Sequence, residues 1–180
     1  EDSFISKKIN LGLDLQGGSY LLLEIDNGPV EIQKLQNTTT VIRNFLKDKK
    51  ISFNDLRIED KKIIFSIPND NIELVQSFFL DKESDINPYY FQYKSHQFDV
   101  NIQDNEFTLT LSKYGLIEIK TSSQDQAIEI VRRRVDEVGT NEPNILKRGN
   151  NRILVELPGL DDPMRIKSLL GKTANLTFRF

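Results

Sequence analysis

A chain of 180 residues with 38% hydrophobic and 28% charged residues has the composition of an ordinary globular protein, long enough for one or two domains. The absence of cysteine excludes disulfides, thiolate catalysis and cysteine-ligated metals, and a single histidine, His96, excludes histidine-cluster metal sites. A net charge of -3 provides no global attraction to nucleic acid or anionic lipid, and no stretch approaches the ~20 apolar residues of a membrane span.

The segment 12–18 places Asp14 and Gln16 on one face and Leu11, Leu13 and Leu15 on the other, then sets Gly17 and Gly18 directly before an apolar run. A double glycine there calls for a bulge, a positive φ or a close backbone approach. The run 20–25 reads as a buried strand, stopped by the turn cluster Asp26-Asn27-Gly28-Pro29. Pro29 suits the first position of a helix, and Val30, Leu35, Thr38, Ile42, Phe45 and Leu46 recur at helical spacing, which predicts a helix over 29–49. Residues 52–58 and 61–67 alternate at period two around Glu59-Asp60, a hairpin. Asp70 and Glu73 form a capping-box pattern that opens a second helix, through 80. Strands are predicted at 89–93, 98–102 and 107–111, the last two joined at Asp104-Asn105. The tract 84–96 carries more aromatic residues than this order needs.

The order then repeats. Ala127, Ile130, Val131, Arg134, Val135 and Val138 share a helix face closed by Gly139. The start of that helix has two readings: a capping box at Ser123 and Gln126, or a longer helix whose face runs back through Ile119 to Leu116. Residues 144–147 and 152–157 flank Gly149-Asn150-Asn151 as a second hairpin. Asp161-Asp162-Pro163 caps a helix through 170, stopped by Gly171, and 175–180 is a closing strand. Helix, hairpin, helix, strand thus occurs twice. The fold expected is α+β, two ferredoxin-like βαββαβ units, each an antiparallel sheet with its helices on one face.

The candidate chemistry is thin. Gly171-Lys172-Thr173 resembles the tail of a phosphate loop, but the earlier glycine is Ile166 and the segment ends a helix instead of opening one. Arg132-Arg133-Arg134 has Glu129 and Asp136 within one turn, and no strand carries the aromatic pattern of RNA-binding sheets. Asp161-Asp162 before Pro163 reads as a helix cap. The glycines at 12–18 do not have dinucleotide-fingerprint spacing. No nucleophile–base pair stands out, so no catalytic, metal or cofactor-binding residue is assigned, no cofactor is expected and the chain is not read as an enzyme.

Two stretches carry a resemblance. Gly12, Asp14, Gln16, Gly17 and Gly18 form one. The other runs through Arg134-Val135-Asp136, Gly139, Glu142-Pro143, Gly149, Arg152-Ile153-Leu154-Val155, Pro158-Gly159, Gly171, Ala174 and Phe178-Arg179. Together they resemble the SecD family, the accessory subunit of the bacterial Sec translocase that works with SecF. Three departures lie near the second hairpin: Arg148 where glutamine is common, Thr140-Asn141 in place of a small apolar pair, and Asn151 where aspartate is common.

The resemblance implies a bacterial inner-membrane protein with a large periplasmic part, comprising a base and a mobile head that engages the translocating preprotein, driven by proton flow. It implies that 1–26 and 106–180 form the periplasmic base and 27–105 an additional periplasmic subdomain. The opening on Glu1 and the close on an alternating strand are those of a segment cut from a longer chain. Membrane contact is then expected only through segments absent from this sequence. The partners implied are a SecF-like subunit, the Sec translocon channel and the preprotein, with no nucleic acid. The resemblance also favours the longer helix before Gly139. The motif residues are expected to be structural or interaction groups. The alternative class is a tandem ferredoxin-like module that binds a small molecule or RNA.

Overall fold

A computed structural model describes residues 18–137, 143–158 and 176–179. In chain order its elements are β1 (Gly18–Ile25), α1 (Gly28–Asp48), β2 (Asn54–Glu59), β3 (Lys62–Ser66), α2 (Ile72–Leu80), β4 (Tyr89–Tyr90), β5 (Ser95–His96), β6 (Phe98–Gln103), β7 (Glu106–Leu111), α3 (Lys113–Glu137), β8 (Asn144–Arg148), β9 (Arg152–Pro158) and β10 (Leu176–Arg179). The architecture is α+β, with antiparallel sheets. The chain divides into two units, Glu1–Asp26 with Gln124–Phe180, and Asn27–Ser123.

The first unit has the strand order β10-β1-β9-β8. Its core follows from period-two alternation: Leu21, Leu23 and Ile25 of β1 share a face with Ile153, Val155 and Leu157 of β9, in the register Leu21↔Val155 and Leu23↔Ile153. Ala127, Val131 and Val135, four apart on α3, close over that face. Ile130, expected in the same stripe, is 37% exposed. One residue is a turn of about 100° on a helix, so Ile130 falls off the stripe of Ala127, Val131 and Val135, which widens on its other side through Gln124 and Ile128. The helix expected over 161–170 and its Gly171 stop lie outside the described residues, as do Val138 and Gly139.

The second unit has the order β2-β3-β7-β6. Ile63 and Phe65 of β3 face Leu109 and Phe107 of β7, with the two phenyl rings stacked at 5.1 Å. Leu35, Ile42 and Leu46 from α1 and Val75 and Phe79 from α2 complete this core. Strand 106–111, assigned from the sequence to the C-terminal base, belongs to this sheet instead. It pairs with both β3 and β6, so the unit boundary falls at Ser123 rather than at 105. The two sheets are compatible with one ferredoxin-like plan. In the first unit the opening strand β1 sits between the last strand and the third. In the second, β7 occupies the equivalent place but comes last in sequence, which makes that unit a circular permutation of the first. The whole second unit is inserted between β1 and the part of α3 that covers it.

Local structure departs from expectation in three places. The capping box at Asp70 does not form. Asn69–Asn71 makes a 3₁₀ turn in which the Asn71 N–H donates to Pro68 O at 3.0 Å, and no side chain caps α2. The hairpin between β2 and β3 turns at Asp60-Lys61, both at positive φ, one residue later than predicted. α3, by contrast, begins at Lys113 as the longer of its two readings expects, so Ser123 lies inside the helix and caps nothing. The strand expected over 89–93 shrinks to the two-residue β4 paired with β5.

Candidate functional site

The residues singled out by the sequence fall on the first unit, and of those that are described Gly18, Pro158, Gly149 and Arg152 lie at the two ends of one strand pair. Gly18 opens β1 opposite Pro158, where β9 ends. At the other end, Gly149 makes the β8–β9 turn at φ 61°, a left-handed conformation that a glycine adopts without a Cβ penalty. Arg152 starts β9 directly after that turn. Pro143 immediately precedes β8 and Arg134 lies in the last turn of α3. Gly12, Asp14, Gln16, Gly17, Gly139, Glu142 and Gly159 lie outside the described residues, as do Asp161-Asp162 and Gly171-Lys172-Thr173.

Hydrogen bonds from outside the hairpin hold the turn in place, through residues to which the sequence assigned no role. Gln124, 3% exposed on α3, donates from Nε2 to Gly149 O at 3.1 Å and to Arg152 O at 2.7 Å. The Ile25 N–H donates to Asn151 O at 2.7 Å, and Asn151 Nδ2 donates to Glu24 Oε1 at 3.3 Å. An amide at 151 can donate to that carboxylate, whereas the aspartate common there in the SecD resemblance would set two like charges together. Leu22, Glu24, Asn151 and Arg152 line an open cleft of about 290 Å³ beside the turn. Gln124 sits in the polar run 121–126, which reads as surface in sequence, because its partners are backbone carbonyls 25 and 28 residues away.

The arginine run spreads around α3 instead of forming one basic face, and Arg132 pairs with Glu129 at 3.7 Å. Among the described residues no cluster of histidine, aspartate or glutamate converges as metal ligands would. No helix among them is long and apolar enough to cross a membrane.

Comparison with known proteins follows the same two segments. Residues 124–180 match the family described as protein translocase subunit SecDF, P1 domain, N-terminal, and residues 3–28 match the SecD/SecF GG motif. The protein translocase subunit SecD of Acetobacter pasteurianus is 38% identical over 176 residues, 96% of this chain and 32% of the relative. The chain belongs to the SecD family. The SecD subunits of Rickettsia bellii and Pseudomonas aeruginosa are 34% and 33% identical, over 94% and 95% of this chain and 31% and 26% of their own lengths. The chain thus spans about a third of the length of the curated relatives it matches. No solved structure matches it significantly. The two matched segments meet in one sheet: β1 from the first pairs on either side with β9 and β10 from the second. The second unit lies in the interval between them.

Proposed function

We propose that this chain is the periplasmic base of a SecD translocase subunit in the bacterial inner membrane, supporting the proton-motive-force-driven late steps of preprotein export without catalysing a reaction itself. The observation that carries the reading is the sheet just described, in which segments separated by residues 29–123 are joined as β10-β1-β9. A platform whose strands come from both ends of the matched region is suited to transmit force between flanking parts of a longer chain. The base is Glu1–Asp26 with Gln124–Phe180, and Asn27–Ser123 is an additional subdomain. The partners are a SecF-like subunit and the Sec translocon through the full-length protein, with the translocating preprotein as client. The motif residues from Gly12 to Gly159 serve as structural or interaction groups.

The test is complementation. In bacteria depleted of their own SecD, a full-length protein containing this chain is expected to restore pulse-chase export of a reporter preprotein. Leu23→Asp, which puts a charge into the fully buried centre of β1, is expected to abolish that rescue. Equal export with and without the protein would overturn the reading.

A further inference from the structure

β6 is an edge of the second unit's sheet. Its first residue, Phe98, sends both main-chain groups away from β7: the N–H donates to Asn87 Oδ1 at 2.8 Å, and the C=O accepts from Asn87 Nδ2 at 3.0 Å. The asparagine amide therefore stands where a neighbouring strand would stand. Main-chain groups alternate along an antiparallel strand, so those of Val100 and Ile102 point outward too, while Asp99, Asn101 and Gln103 bond to β7. Among the described residues no hydrogen bond reaches the outward groups of Val100 or Ile102.

Folded proteins guard such edges with charges, bulges or twist. β2 has a register break between Asn54 and Arg57, Asp55 at φ 53°, and charges at Asp55, Arg57 and Glu59. β8 carries Lys147 and Arg148. β6 has an unbroken register from Phe98 to Gln103, no proline and one charge, Asp99. Of the four-stranded sheets' edges whose side chains are described, it alone is open.

We propose that β6 takes up an extended stretch of the exported polypeptide as an added strand, through main-chain hydrogen bonds to Val100 and Ile102. The proposal rests on the function given above and names the surface that holds the client. Main-chain bonding ignores side-chain identity, as a client of changing sequence requires. Asn87 at one end and the turn at Asp104 at the other limit the open edge to a few residues. That suits a brief hold on a moving chain and falls short of the ~1,200–2,000 Å² of a stable dimer.

The experiment adds reduced, S-carboxymethylated lysozyme, an unfolded chain, to the isotope-labelled protein and follows amide exchange by NMR. Slowed exchange at Val100 and Ile102 is expected. Val100→Pro removes an outward donor while leaving the bonds to β7, and Asn101→Lys guards the edge from an exposed position. Each is expected to weaken binding roughly tenfold and, in the full-length protein, to slow export. Binding that protects other residues and is unaffected by Asn101→Lys would overturn the edge while leaving the export function standing. Protection of β6 that depends on protein concentration alone would assign the edge to a second copy and overturn the client. If the parent protein supports no export, the function fails and the proposal falls with it.

Discussion

Asn87 is fully buried, and its amide makes three hydrogen bonds: Nδ2 to Phe79 O and Phe98 O, both at 3.0 Å, and Oδ1 from the Phe98 N–H. Asn87→Ala removes all three at once and strands buried backbone groups. It is expected to cost about 2–3 kcal/mol, read from the urea midpoint; a loss under half a unit would mean that water replaces the amide. Lys50 carries the opposite signal. It sits at φ 56° at the end of α1, where its N–H bonds Lys47 O and the Ile51 N–H bonds Leu46 O, with Ile51 and Leu46 both buried. This is a Schellman ending with lysine at the position glycine prefers. Lys50→Gly is expected to stabilise the protein by about 1 kcal/mol. Gly115 has no such freedom, because a Cβ there would lie 2.3 Å from Gln97 O. Gly115→Ala is expected to cost about 1–3 kcal/mol in the same assay, and a neutral result would show that the backbone around Gln97 yields. None of these three residues announces itself in sequence. Asn87-Pro88 reads only as a turn, a lysine gives no stop signal, and Gly115 lies just ahead of the longer helix reading, in a stretch that carries no motif.

The helices and hairpins were largely legible, since their apolar residues keep the periods of 3.6 and 2. The aromatic ribbon was not. Residues 89–93 have the composition of a strand, yet a lone two-stranded ribbon gains too little to extend. What fixes the ribbon is tertiary: Tyr93 stacks on Tyr114 of α3 at 4.8 Å, and Gln92 Nε2 donates to Glu118 Oε1 at 2.8 Å. Burial, and secondarily the Glu118 carboxylate, hold the Tyr90 phenol above its ordinary value. A raised value in the folded state means that folding favours the protonated phenol. That contribution is fully present below the ordinary tyrosine value of ~10 and is lost as pH rises through the folded value. Alkaline titration at 295 nm is expected to show one tyrosine titrating late, and Tyr90→Phe is expected to remove that component and blunt the alkaline loss of stability. An unchanged titration curve in the variant would assign the late step to another tyrosine.

At the scale of the whole chain, the sequence showed that one pattern occurs twice but misplaced where one copy hands over to the next. Strand 106–111 fits either sheet by alternation, and only pairing decides; pairing is invisible in a period-two pattern. The contact between the cleft residues Glu24 and Asn151 was missed for the same reason, since they are 127 positions apart and are brought together where β1 pairs with β9. Among the described residues the two hydrophobic clusters share none, and that separation has a measurable consequence. Phe65 is fully buried in the second unit, and Phe65→Ala leaves a cavity expected to cost about 3–5 kcal/mol. Val131 is fully buried in the first, and Val131→Ala is expected to cost on the order of 2 kcal/mol. Amide exchange followed by mass spectrometry should separate them. Phe65→Ala is expected to accelerate exchange in β3 and β7 and to leave β1 and β9 near the parent rate, with the reverse for Val131→Ala. The helix α3 runs from one unit into the other, so its N-terminal turns should follow the first variant and its C-terminal turns the second. If either substitution sped exchange equally in all four strands, the chain would unfold as one cooperative body despite its two cores.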